Sequence, residues 1–426
     1  MPQSYSPKEF TEYIRKAIPG SDYDPLGIEE LKAMVKRSSA EAGDPLAQAE
    51  LEQQRQQRLE WERLEQQRLE QNRKVEAVYA EIETMRRWLF ESGSYSEYEA
   101  SLIVEPLKVE YNPQTGETQV AGDLDLDRVV SAEGLILPRN IGGSVRFKML
   151  TTTRGLDLTN VNIGKGLYLD SLRFADGLDL TSTAIGGGIY LGSLESALGL
   201  SLPSIIYGDL NLKSLNSTAG LSLPATIGGD LNLHGLQSAE GLVLPNAVGG
   251  NLYLNSLTYA EGLTLPQTVR GGLKLDSLTS AMGVTFPRGI GGYLDLGKLA
   301  TAEGLDLTST SIMGGLNLSG LTSAENLDLS STKVSGFIDF AKLTSAEGLK
   351  LPPAIGGYLN LSKLKSAIGL SLPDRIGGYL NLRNLVSAEG LSLPQDLGSD
   401  LILNSLTPVD KKRLRELRPD LAHKIT

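Results

Sequence analysis

Apolar and polar positions alternate in one phrase that recurs along most of the chain, and the stretch GLVLPNAVGGNLYLNSLTYAE (residues 241–261) shows it whole. Leu242/Leu244 and Leu252/Leu254 form two Leu-x-Leu pairs. Alternate residues of an extended chain share a face, so each pair predicts a short strand with both leucines inward. Pro245 ends the first strand because it has no N–H to donate, and Gly249-Gly250 supplies the bend before the second. Val248, Leu257 and Ala260 complete the inward set.

The glycine that opens the phrase stands at Gly134, Gly155, Gly177, Gly199, Gly220, Gly241, Gly262, Gly283 and Gly304, then as Asn326, Gly348, Gly369 and Gly390. The spacing is 21 residues in eight intervals and 22 in four. A unit this short cannot dry its own apolar face and must stack on its neighbours. The pattern predicts a mainly β chain: a parallel β-solenoid of about 13 coils over residues 122–406 with two short strands per coil. The handedness of strand crossovers makes it right-handed.

The repeat resembles leucine-rich repeats, and IGGDLNL (227–233) and IGGYLNL (355–361 and 376–382) are similar to the IGGxLxI phrases of bacterial and receptor L-domain repeats. That resemblance covers the repeats alone and implies a solenoid used for binding, with no catalytic residue to carry over. The asparagine of a leucine-rich-repeat ladder is not kept at one position here, and the short unit leaves little room for a helix on the convex side. Two strands per coil are therefore expected in place of a helix-backed horseshoe.

Both ends of the array carry other patterns. Residues 1–43 read as two short helices, with Phe10, Tyr13 and Ile14 on one face of the first and Ile28, Leu31, Met34 and Val35 at the same spacing in the second. Residues 44–91 read as one long charged helix, in which pairs such as Glu65/Arg68 and Glu83/Arg86 each add ~0.3 kcal/mol. Only its last part has a seam: Val75, Val78, Ile82, Met85 and Leu89 follow 3-4-3-4 spacing. The seam predicts either a coiled-coil homodimer or docking on the solenoid's own first coil. Residues 92–121 read as a linker and a hairpin turning at Asn112 to Gly116, the linker lying in the polar hinge ESGSYSEYEA (91–100) and the hairpin covering the first open edge of the stack. Residues 407–426 predict a capping helix begun by Thr407-Pro408, with Leu414 and Leu417 sealing the last coil.

Composition narrows the function. The formal charge of −11 argues against general nucleic-acid binding, which needs a basic face. With no cysteine, and with the two histidines (His234 and His423) far apart, neither a thiolate site nor a His-based triad is expected. No run of about 18 apolar residues occurs, and MPQSYSPKEF has no apolar stretch of signal-peptide length. No membrane contact and a cytoplasmic setting are therefore expected, with export by a route that needs no cleaved signal as the alternative.

Residues between the inward leucines face outward. Tyr293, Phe337, Tyr358 and Tyr379 share one outward position, the last three on successive coils, and Asn360 and Asn381 lie two residues further on. Aromatic strips of this kind are enriched at interaction sites, and they also serve as stacking ladders. The four 22-residue units, GLDLTNVNI, GLDLTSTAI, GLDLTSTSI and NLDLSSTKV, replace proline by Thr or Ser and place Asp157, Asp179, Asp306 and Asp328 outward in two adjacent pairs. Such pairs point to a cation or, more simply, to a turn in which Asp, Thr and Ser side chains satisfy a wider bend. No cofactor is called for. The expected function is a non-catalytic repeat protein offering a rigid protein-binding or scaffolding surface. An adhesion module for a glycan or envelope component is the alternative, and a glycan-acting β-helix enzyme the weaker one.

Overall fold

The computed structural model describes Ala33 and residues 35–105, 107–175 and 177–426. They fall in two units, Met1–Arg73 and Lys74–Thr426. In the first, residues 35–41 are helical, and a 47-residue helix, Pro45–Glu91, follows and continues into the second. The helices expected in residues 1–43 otherwise lie outside the described residues. Leu59, Trp61, Leu64 and Leu69 of the long helix are exposed, and its Glu65–Arg68 and Glu83–Arg86 pairs close at 2.6 Å. Among the described residues no helix is long and apolar enough to cross a membrane.

The second unit is a parallel β-solenoid of about 13 turns. One side of the coils forms a continuous 14-stranded sheet from Leu124–Asp125 to Leu401–Ile402. Leu252, Leu254 and Leu257 are fully buried, as are their equivalents along the array.

The other strand of each coil differs from expectation. It is Ala247–Val248, just before the Gly-Gly bend, and not Leu242–Leu244. Pro245 does not set this place, because the four coils that carry Thr or Ser there have their strands at the same position, Asn162–Ile163, Ala184–Ile185, Ser311–Ile312 and Lys333–Val334. The Leu242–Leu244 side pairs between neighbouring coils only at isolated bridges, such as Thr264↔Thr285 and Lys350↔Ser371.

Turns close the coil. Leu257 N–H donates to the Leu254 carbonyl (3.1 Å) and Leu263 N–H to Ala260 (3.0 Å). In the Ser-Ala-Glu-Gly corner the serine hydroxyl accepts from the glutamate N–H, as in Ser238–Glu240 (3.2 Å) and Ser345–Glu347 (3.2 Å). The glycine that follows is left-handed, φ +71° at Gly241, and at its one departure Asn326 takes φ +64°. Only glycine, and less readily asparagine, enters that region cheaply, which is why this residue marks the repeat.

Both ends of the stack are covered. Lys108–Asn112 and Glu117–Ala121 form the expected hairpin, whose second strand pairs in parallel with the first coil at Val120↔Ile141. Val78, Ile82, Met85 and Leu89 are buried in the same core as Leu124 and Leu126, so the helix seam is covered by its own chain. Trp88 Nε1 donates to the Glu133 carbonyl (3.1 Å), and Glu81 accepts from Arg139 N–H (3.1 Å). The hinge is shorter than expected, because Ser96 and Glu99 make a capping box that starts a helix, Glu97–Val104. At the far end Thr407 caps Pro408–Leu417, and Leu414 is buried. Leu417, expected to help seal, is 66% exposed. Leu421 and Ile425 seal instead, while Thr426 N–H and carbonyl pair with Leu401 and Leu403 as a further rung.

Leu254→Asp is expected to lower stability by several kcal/mol, because a charge enters a dry stack, while Tyr253→Ala next to it costs about 1 kcal/mol. Thermal melts of the two variants check the assignment, and equal losses would contradict it. Met85→Asp is expected to lower the melting temperature without changing the sedimentation coefficient of the folded chain. A dimer that this substitution dissolves would show that the seam works between chains.

Candidate functional site

The outward face of the 14-stranded sheet carries two columns of side chains, one at the rung between the leucines and one two residues earlier. In the earlier column Phe337, Tyr358 and Tyr379 stack face to face, with ring centroids 4.7 Å apart and planes within 3°. That is the spacing of strands in a sheet, so the backbone ladder itself sets the rings in register. Gly315 gives this stack its start, because a Cβ there would lie 2.2 Å from the Phe337 ring. Tyr293, on the coil before Gly315, shares with Tyr253 the cation of Lys274, whose Nζ lies 5.5 and 5.1 Å from the two ring centroids.

These rings are half-buried and not freely exposed, since each covers its neighbour. Burial, with the charge of Asp339 and the neighbouring Tyr379, pushes the Tyr358 phenol up to about 12. Burial also raises the carboxyl of Asp339, whose Oδ1 accepts from Ala341 N–H (2.8 Å) and from Asn360 Nδ2 (2.9 Å). Asn360 is thereby engaged at both ends, because its Oδ1 accepts from Ser362 N–H (3.2 Å). Asn381 Oδ1 accepts from Arg383 N–H (3.2 Å). The asparagines act first as corner supports, and the groups they offer outward are fewer than their side chains suggest.

The four aspartates of the long coils sit on a different side. Each accepts from the N–H two residues on: Thr159 to Asp157 (2.9 Å), Thr181 to Asp179 (2.9 Å), Thr308 to Asp306 (3.0 Å) and Ser330 to Asp328 (3.0 Å). The hydroxyls of Thr181, Thr308 and Ser330 donate to the same oxygens. These bonds hold all four carboxyls below the usual range, with Lys350 Nζ, 2.8 Å from Asp328, the largest influence there. The added residue completes a β-turn, Thr183 N–H to Leu180 carbonyl (3.1 Å), and buries a threonine hydroxyl that bonds the coil before, Thr183 Oγ1 to Leu158 carbonyl (2.9 Å). Thr310 and Thr332 repeat the device. Among the described residues no group of three or more metal-ligating side chains is placed to hold an ion.

Sequence reading passed over a second ring pair on the same face. Tyr168 and Tyr190 stack at 4.4 Å, and the Arg146 guanidinium lies 5.1 Å from the Tyr168 ring. The signal was available as Gly166-x-Tyr168 and Gly188-x-Tyr190, where each ring lies against a glycine of its own strand. Comparison with protein-family models, with curated proteins and with solved structures finds no match to this chain.

A tyrosine whose folded pKa lies above its unfolded value of 10 favours folding fully below pH 10 and loses that contribution as the pH rises towards 12. Tyr358→Phe is therefore expected to remove a late-ionising phenol from this stack and to flatten the fall of stability across that window. Phenolate absorbance and melts across the same pH range check it.

Proposed function

We propose that the chain is a non-catalytic repeat protein whose 14-stranded face is a rigid protein-binding or scaffolding surface, anchored by Tyr293, Phe337, Tyr358 and Tyr379. The observation that carries this reading is the ring stack at 4.7 Å, held by a continuous ladder and half open to solvent. Rings positioned by a backbone lose little entropy when a partner covers them, and aromatic side chains carry much of the energy of protein interfaces. In its repeat phrases the array stands beside leucine-rich and L-domain solenoids, which serve binding. The proposal takes the cytoplasm as its setting.

Affinity capture with the full chain, followed by titration of the captured protein, tests the reading. Tyr358→Ala with Tyr379→Ala is expected to weaken that complex tenfold or more, about 1.4 kcal/mol. The melting temperature should fall only slightly, because Leu359 and Leu380 beneath are untouched. A double variant that binds normally but melts early would assign the stack to coil stability alone.

A further inference from the structure

The sheet opposite the 14-stranded one is not continuous. Its ladder runs from the hairpin to Ala184–Ile185, stops, and restarts at Ile205–Ile206 as a separate ten-stranded sheet. At every other coil junction from Gly142 to Gly398, the first residue of the Gly-Gly corner donates its N–H to the coil before, as Gly186 does to Ile163 (2.8 Å) and Gly228 to Ile206 (2.8 Å). The exception is Tyr207, whose N–H makes no such bond to Ile185. A pair left unmade in an otherwise continuous ladder marks a local departure from the repeat.

The break falls where a 22-residue coil is followed by a 21-residue one, so that the strand arrives one residue early. The same step recurs at Val334 and Ile355, and there the ladder survives: Val334↔Ile355 remain paired and Gly356 N–H reaches the Val334 carbonyl at 3.3 Å. The step alone therefore does not open the sheet. What differs is bulk at the step, because Ile205 and Tyr207 stand where the second step has Ala354 and Gly356, whereas Arg270 and Met313 carry bulk at the same corner without that step and keep the bond (3.0 and 2.9 Å). Tyr207 takes a corner position held by glycine in most coils and is 69% exposed.

A hollow of about 470 Å³ runs over the short sheet from the hairpin to the break that ends it, lined among others by Gln119, Asn140, Asn162, Thr181, Ser204 and Tyr207. A second hollow of about 360 Å³ shares Thr181, Pro203 and Ser204 with it. Asn162 Nδ2 donates to Asn140 Oδ1 (2.6 Å) and Asn140 Nδ2 to the Thr118 carbonyl (3.0 Å), which orients both amides. Glu117, on the hairpin, is the one charged side chain of the larger hollow, and neither hollow has a cation in its lining.

We infer that this break is a binding site for a neutral oligosaccharide. The hollow has the size of a small-ligand site, its lining offers amides and hydroxyls in both donor and acceptor roles, and Tyr207 adds a ring for the apolar face of a sugar. An anionic ligand would meet no cation. An entering peptide strand has no room, because the ladder is intact on both flanks of the gap: Gly208 N–H to Gly187 carbonyl (3.0 Å) on one side, Ser201 N–H to Leu178 carbonyl (2.9 Å) on the other. The site is separate from the aromatic face and does not rest on it.

Saturation-transfer NMR and calorimetry on the full chain test the inference, with maltotriose, cellotriose and tri-N-acetylchitotriose as probes and a blocked tetra-alanine peptide as the competing class. At least one trisaccharide is expected to bind at millimolar concentration or below. Ile205→Ala with Tyr207→Gly, which copies the closed step, should weaken that binding tenfold or more while protecting the amide at position 207 from hydrogen exchange. Asn162→Ala, which leaves the strands alone, should weaken it to a similar degree. Tyr358→Ala should bind like the parent chain. Failure of all three sugars to bind, binding of the peptide in their place, or affinity unchanged in both site variants would overturn the proposal.

Discussion

Everything in the solenoid depends on how closely one coil can lie on the next. The ladder bonds of 2.7 to 3.0 Å that tie most corners together leave little space where backbones pass. A Cβ on Gly249 would lie 2.0 Å from the Gly228 carbonyl oxygen, and one on Gly377 2.1 Å from that of Gly356. Close approach, not an unusual backbone angle, favours glycine at this corner, and the three coils that place Arg270, Met313 or Ser335 there still make the same ladder bond. Dry leucines, registered rings and stacked corner serines all follow from that spacing, because each needs its counterpart one strand away.

The polar residues of the repeat mostly serve the same end. Serines, aspartates and asparagines at the corners accept from the N–H two residues ahead, so the turns satisfy their own backbone groups. The long coils show the logic most fully, since one added residue brings a capped turn and a buried threonine bond to the coil before. Their aspartates therefore have structural work in the turn. The same economy reaches the outer face, where Asn360 supports a corner before it can meet a partner.

A stack of identical coils has two weak places, its ends and any step in its period. The ends are closed by chain that departs from the repeat: the hairpin and the buried helix seam at one, Ile425 and Thr426 at the other. The steps are handled unequally, with small residues letting one close and large residues holding the other open. Where a repeat protein leaves such a departure uncorrected, the departing residues are the natural place to look for a task beyond folding.

Period, strand count per coil, the inward leucines and the covering hairpin were legible because they depend on local chemistry repeated many times: a two-residue alternation and a glycine at positive φ. The register of Phe337, Tyr358 and Tyr379 was legible for the same reason, as equal spacing in sequence becomes equal spacing in space. What the tertiary structure decided is of another kind. Whether the Val78–Leu89 seam meets a second chain or its own first coil depends on which apolar surface lies within reach, and no heptad pattern encodes that. The place of the first strand after Pro245, the engagement of Asn360 by Asp339, and the sealing of the last coil by Ile425 instead of Leu417 were likewise settled by neighbours one coil away. The break at Ile185 and Tyr207 belongs with them: its residues stand in the sequence, but only a stacked ladder reveals that one bond in it is not made.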